Sequence, residues 1–172
     1  MTNWSVIHGD LLDLRVDGLI CSANPNLNLS GGVGGAFAMR FGGSMQTFLH
    51  QYLHEQGIPY IPPGRTVVAP PCGSHFRAVA HAVAIDGFYD TDVPTIVQTY
   101  LDAIARLATA GCRSIAAACL GCGYGRVESS DFQRVIRDLV SRDAAAESVT
   151  FGTTNQRLAE SVRETLDEQL EH

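Results

Sequence analysis

The stretch Ser114-Ile115-Ala116-Ala117-Ala118-Cys119-Leu120, followed at once by Gly121-Cys122-Gly123-Tyr124-Gly125, joins an uncharged, mostly apolar run to a loop in which every second residue is glycine. Such a run between glycines reads as a central strand covered on both faces, as in parallel sheets. A glycine lets the backbone approach a ligand with no Cβ in between, and successive amides on the loop can donate to an anion. A second loop of the same composition, Ser30-Gly31-Gly32-Val33-Gly34-Gly35, follows another apolar segment, Gly18-Leu19-Ile20-Cys21. Together the two loops suggest a groove that holds phosphate. Ordinary tight connections use the same residues, so the rest of the chain has to decide.

Outward from the central strand, the pattern alternates. Upstream, Ile96, Tyr100, Ile104, Leu107 and Ala108 recur at helical spacing over 95–110, and Gly111 supplies a stop. Downstream, 132–140, 149–151 and 158–170 read as helix, strand and helix. Nearer the N-terminus, 6–8, 18–21, 66–69 and 78–85 have strand character. The segments 36–41 and 45–55 read as two short helices split by Gly42-Gly43, with the glycine stretch 31–35 as a loop ahead of the first. The pattern predicts a mostly parallel sheet covered by helices, with right-handed crossovers bringing several loops to one sheet edge. No repeat or internal boundary interrupts it, so a single domain over 1–172 is expected. The final Leu170-Glu171-His172 reads as a helix end or the start of a tag.

Composition narrows the class. With 172 residues and 45% hydrophobic content, the chain can build a substantial core. A formal net charge of −6 argues against non-specific nucleic-acid binding, but leaves room for an anion site made of neutral amides and helix N-termini. Five cysteines form an odd set without the dense spacing of secreted scaffolds. With no signal-like or membrane-length apolar run, a cytoplasmic location is expected.

Taken in order, Gly9-Asp10-Leu11-Leu12, the run Val16 to Asn24, Gly31 to Ala36, Ala80-His81-Ala82-Val83, and Ser114 through Gly125 resemble the macrodomain family. The similarity extends from about Val6 to Leu166. It implies a three-layer α/β/α fold with a mixed central sheet and a cleft for ADP-ribose. The implied function is binding of ADP-ribose or an ADP-ribosylated macromolecule. The alternative is hydrolysis of an O-linked derivative, such as ADP-ribosylated protein, O-acetyl-ADP-ribose or ADP-ribose 1-phosphate.

By the same resemblance, Asp10 reads the adenine amino group, Asn24 lies near the distal ribose, and Gly32, Val33, Gly34, Gly121, Cys122, Gly123, Tyr124 and Gly125 surround the diphosphate, with Tyr124 also able to line the ribose. From residue chemistry alone, Asp10 could equally cap the next turn, and Asn24, before Pro25, could be an ordinary turn residue. If the chain is an enzyme, Asn24 is the catalytic candidate, orienting ribose or water rather than acting as a strong base. Many hydrolytic relatives carry an aspartate where Gly34 stands, a departure that favours binding over turnover. Thr153-Thr154-Asn155 occupies a region where relatives often place an aromatic beside adenine.

Cys119 and Cys122 have redox-pair spacing, but no second close pair accompanies them, so no metal is expected. No cofactor is expected, because no Gly-x-Gly-x-x-Gly turn accompanies a first strand with its acidic partner. His81, inside an apolar run, reads as a hydrogen-bonded strand residue, and Asp17 as a turn or ion-pair residue.

Overall fold

The computed structural model of the protein describes residues 1–123 and 125–171. Its elements are β1 (Asn3–His8), a 3₁₀ turn (Leu11–Asp13), β2 (Gly18–Ala23), α1 (Gly32–Phe41), α2 (Ser44–Gln56), β3 (Arg65–Ala69), β4 (Ala78–Val83), α3 (Val93–Thr109), β5 (Ser114–Ala118), α4 (Ser129–Val140), β6 (Ser148–Thr153) and α5 (Gln156–Leu170). The sheet order is β1-β6-β5-β2-β4-β3. Every neighbouring pair is parallel except β3 with β4, where Thr66 faces Ala82 and Val68 faces Ala80. The sheet is therefore mixed, with its one antiparallel strand at an edge.

Burial on both faces explains the sequence of the central strands. Leu19, Ile20 and Cys21 of β2 and Ile115, Ala116 and Ala117 of β5 are all fully buried. On one face Phe151 of β6 meets Tyr100 of α3 edge-on, with ring centroids 5.6 Å apart, and Phe132 of α4 at 6.3 Å. On the other, His81 of β4 reaches Met45 of α2, and Leu11 of the 3₁₀ turn lies under Gly152. Helices thus cover both faces, giving three layers. An added Cβ at Gly152 would sit 2.5 Å from Leu11 Cδ2 and 2.8 Å from its Cγ. Leu11 is itself buried, so overpacking has nowhere to relax. Gly152→Ala is expected to cost about 1–3 kcal/mol in urea unfolding. An unchanged midpoint would refute this contact.

Several boundaries differ from the sequence reading, four of them beside the glycine segments or around α3 and β4. Helix α1 begins at Gly32, not Ala36, so Gly32 to Gly35 form its first turn and are not a loop. Glycine's poor helix propensity is outweighed by packing: Gly34 sits over Leu29 and Cys21, and Phe37 is fully buried. The backbone reaches the helix through Gly31 and Gly32, at φ 92° and 55°. Strand β5 stops at Ala118, two residues before Leu120, because the Tyr100 hydroxyl donates to the Ala118 carbonyl and accepts from Leu120 N–H. Strand β4 stops at Val83, before Ala84 and Ile85. Helix α3 begins at Val93, two residues early, since Asp92 caps it by accepting from Thr95 N–H at 2.8 Å.

Candidate functional site

The five parallel strands all end at one sheet edge, and there the chain leaves a cavity of about 770 Å³. That is the edge where α/β sheets bind ligands. Each of those strands leads into the wall: Gly9 and Asp10 after β1, Gly152 and Thr153 from β6, Ala118 with Cys119 just past the end of β5, Ala23 with Asn24 just past the end of β2, Ala84 and Ile85 after β4. Strand order therefore gives the groove a direction. Asp10, Thr153 and Asn155 mark one end, Ile85 and Tyr89 the other, and Gly31 to Gly34 with Gly121 to Gly123 lie along its length.

At the first end, Asp10 does what a cap does, its Oδ1 accepting from Leu12 N–H at 2.9 Å. Its Oδ2 is 3.8 Å from Arg40 Nη1, and the side chain remains half exposed. One carboxylate oxygen thus holds the turn while the other lies beside the Arg40 guanidinium. Asn155 caps α5 by accepting from Leu158 N–H. No aromatic ring lines this end among the described residues.

Midway, Asn24 is bound to the next turn through both ends of its amide: Nδ2 donates to Asn28 O at 2.9 Å, and Oδ1 accepts from Asn28 N–H at 3.0 Å. The turn is braced from α2, where Gln46 donates to Leu27 O and accepts from Leu29 N–H. Asn24 is thus a turn residue whose half-buried side chain also lines the cavity. The first turn of α1 follows, its N-terminal amides and dipole at the groove. A Cβ on Gly34 would meet Leu29 Cδ2 at 3.1 Å, so this position has a wall of packed side chain behind it.

The second glycine loop is closed on itself. A Cβ at Gly125 would lie 2.6 Å from Gly121 O and 2.8 Å from Ile85 Cγ2, whereas Gly123 faces open space. Gly121, at φ 80°, accepts at its carbonyl from Val127 N–H. Gly125 is therefore demanded by loop closure, and Gly123 presents bare backbone to the cavity. Tyr124 lies outside the described residues.

The two glycine segments predicted to share a rim are brought together, as are Asp10 and Asn24. Burial pushes the Cys119 thiol up to about 12 and that of Cys122 well above its ordinary value, so both remain protonated in the wall. Among the described residues, no group of three or more His, Cys, Asp or Glu is arranged to hold a metal ion. His81 lies beneath α2 and away from the cavity. Asp17 ties β2 to β5 by accepting from the N–H groups of Arg113 and Ser114, and these bonds hold its carboxyl below the usual range.

Sequence reasoning missed Ile85 and Tyr89, which close the far end. The available signal was Asp86-Gly87, a turn pair ahead of two aromatics. No described helix is long and apolar enough to cross a membrane.

Comparison with known proteins agrees with this architecture. Residues 20–136 match the family model described as Macro domain. The chain is 29% identical over 167 residues to the O-acetyl-ADP-ribose deacetylase of Klebsiella pneumoniae (strain 342), covering 94% of each protein. It is 28% identical over 152 residues to that of Citrobacter rodentium (strain ICC168), covering 85% of each. Among solved structures, the Oceanobacillus iheyensis macrodomain with ADP superposes with a TM-score of 0.86 at 15% identity, over 96% of this chain and 90% of that one. The Trypanosoma brucei macrodomain in complex with ADP gives 0.79 at 17% identity, over 95% and 69%. At those identities the structural likeness speaks to the fold, while the family match covers most of the chain. Ordered motifs, strand topology and family match converge: the chain belongs to the macrodomain family.

Proposed function

We propose that the cleft binds ADP-ribose, free or attached to a partner macromolecule. The observation that carries this reading is a groove across the ends of five parallel strands, with the α1 N-terminus and a bare glycine loop along it and no Arg or His side chain among its described lining residues. A diphosphate suits such a site, since it is held by amides without a cation. In this reading Asp10 Oδ2 accepts from the adenine amino group. The amides of Gly32, Val33 and Gly34 face the diphosphate from one side, and those of Gly121, Cys122 and Gly123, with Tyr124 and Gly125, enclose it from the other. Asn24 sits by the distal ribose. With five free thiols, the protein belongs in a reducing compartment, which we take to be the cytoplasm.

Calorimetry with ADP-ribose, AMP, ADP and NAD tests the proposal, and no detectable ADP-ribose binding at millimolar ligand would overturn it. Asp10→Asn is expected to weaken both ADP-ribose and AMP about tenfold, one charge-assisted hydrogen bond's worth, and to leave ribose 5-phosphate unaffected. Equal affinities in the variant would remove Asp10 from the adenine site.

A second reading, hydrolysis of an O-linked ADP-ribose derivative, is favoured by the relatives named O-acetyl-ADP-ribose deacetylase. Ester hydrolysis adds water to the acyl carbon and breaks its bond to the ribose oxygen, releasing the acid and ADP-ribose. Apart from Asp10, at the opposite end, no Asp, Glu or His lines the cavity among the described residues. Water would therefore be activated by a phosphate of the substrate and positioned beside Asn24. Saturable binding without release of ADP-ribose, from O-acetyl-ADP-ribose or from ADP-ribosylated protein, supports the binding reading. Turnover that falls in Asn24→Ala supports the second.

A further inference from the structure

Between β4 and α3 the chain builds a closely hydrogen-bonded loop whose most prominent feature is apolar. The Asp86 carboxylate accepts from Phe88 N–H at 2.8 Å and from Asp90 N–H at 2.9 Å. The Asp86 backbone closes the same loop, its N–H donating to Asp90 O and its carbonyl accepting from Tyr89 N–H. Across the groove, Arg126 Nη2 donates to Phe88 O at 3.3 Å and lies 3.9 Å from an Asp90 carboxylate oxygen. All this order serves to hold Phe88 out in solvent, at 79% exposure, beside the half-exposed Tyr89. Tyr89 adopts φ 65°, a region that glycine or asparagine occupies with less strain, although the loop's own glycine stands two residues earlier.

The loop's place in the fold says what it faces. Tyr89 lines the end of the groove opposite Asp10, and its exposed neighbour Phe88 is not part of the cavity wall. The segment between α2 and β3 reaches the same sheet edge, held by Ile61 N–H to Pro25 O and Gly64 N–H to Val83 O, and it carries the exposed Ile58 and Tyr60. Exposed large apolar side chains grouped at the mouth of a site mark an interaction surface. Phe88 is not part of the cavity wall, so a substituent small enough to stay within the cavity does not touch its ring.

Resting on the ADP-ribose reading of the cleft, we propose that the Phe88–Tyr89 loop is a specificity element for the carrier of ADP-ribose, and that the carrier it selects is a polypeptide with an apolar side chain next to the modified residue. A nucleic-acid carrier is disfavoured by charge: the loop brings two carboxylates, Asp86 and Asp90, against the single guanidinium of Arg126, on a chain whose formal net charge is −6.

The test uses the full chain and calorimetry with three probes: free ADP-ribose, a serine-ADP-ribosylated peptide flanked by leucine, and the same peptide flanked by glycine. The wild type is expected to bind the leucine peptide five- to tenfold more tightly than the glycine one. Phe88→Ser is expected to abolish that preference while leaving free ADP-ribose within twofold. Wild-type binding of ADP-ribose with no leucine preference, or a preference that survives Phe88→Ser, overturns the proposal. Equal loss of all three probes in Phe88→Ser overturns it too, by making Phe88 part of the nucleotide site. A 5′-ADP-ribosylated RNA bound more tightly than the leucine peptide also defeats it. Failure of the wild type to bind free ADP-ribose would instead refute the reading of the cleft itself.

Discussion

Replacing Tyr100 with phenylalanine is expected to lower stability by about 2–4 kcal/mol. The Tyr100 hydroxyl donates to Ala118 O at 2.6 Å and accepts from Leu120 N–H at 2.8 Å, at a site where Tyr100 and Leu120 are fully buried. It splices the end of β5 to the glycine loop, and the backbone there leaves the sheet only because a side chain supplies the missing partners. Phenylalanine keeps the ring and its contacts with Phe132 and Phe151. The Leu120 N–H, however, loses the acceptor that the hydroxyl supplied, in a place water does not reach. For a chain of this size the melting temperature should fall by roughly 5–15 °C. Because the freed segment leads into Gly121 to Gly123, ADP-ribose affinity should fall as well. A Tyr100→Phe protein that melts within 2 °C of the wild type, a bound of about 0.5–1 kcal/mol, would show that the hydroxyl bridge contributes little.

The second large effect is one of pH. His81 is fully buried, and its Nε2 lies 3.2 Å from Met45 Sδ. A thioether only accepts, so Nε2 carries the proton and Nδ1 is the ring's acceptor, with no partner among the described residues. Protonating Nδ1 would put a cation into an apolar layer, and burial accordingly lowers the His81 pKa from 6.5 to about 4. Between these two values the unfolded chain binds a proton that the folded chain refuses. Stability therefore rises with pH across this window and is lost as pH falls through it. The loss approaches about 3 kcal/mol near pH 4. Urea unfolding at pH 7.5 and 4.5 measures it, and His81→Leu should show a smaller difference between the two. If that variant fails to fold, an NMR titration of the wild-type ring still decides. A midpoint near 6.5 would refute the assignment.

These two residues also show where sequence reading stops. Tyr100 sits at a helical interval among Ile96, Ile104 and Leu107, and periodicity correctly assigns it to the buried face of α3. Periodicity cannot say that its hydroxyl ends a strand 18 residues later, since that bond depends on how α3 lies across β5. The run containing His81 reads as a strand in either case, and only the packing of α2 shows that the ring faces a methionine. Asp10 and Asn24 are similar. Their residue types permit both capping and ligand contact, and the structure shows each one capping or bracing a turn while still facing the cavity.

The sequence by itself determined the alternation of strands and helices, the single core, the order of the family's motifs and the two glycine segments. All of these are carried by local pattern: apolar periodicity, glycine placement and charge-free runs act over a few residues. The tertiary structure alone decided that Gly32 to Gly35 are helical, that Gly125 is required by the Gly121 backbone, and that the Phe88–Tyr89 loop closes the far end of the cleft. Each of these depends on contacts between segments distant in the chain, where burial and hydrogen-bond satisfaction outweigh intrinsic preference. Strand order had to be formed before the groove acquired two different ends, Asp10 at one and Tyr89 at the other, because that direction belongs to the sheet and to no single stretch of chain.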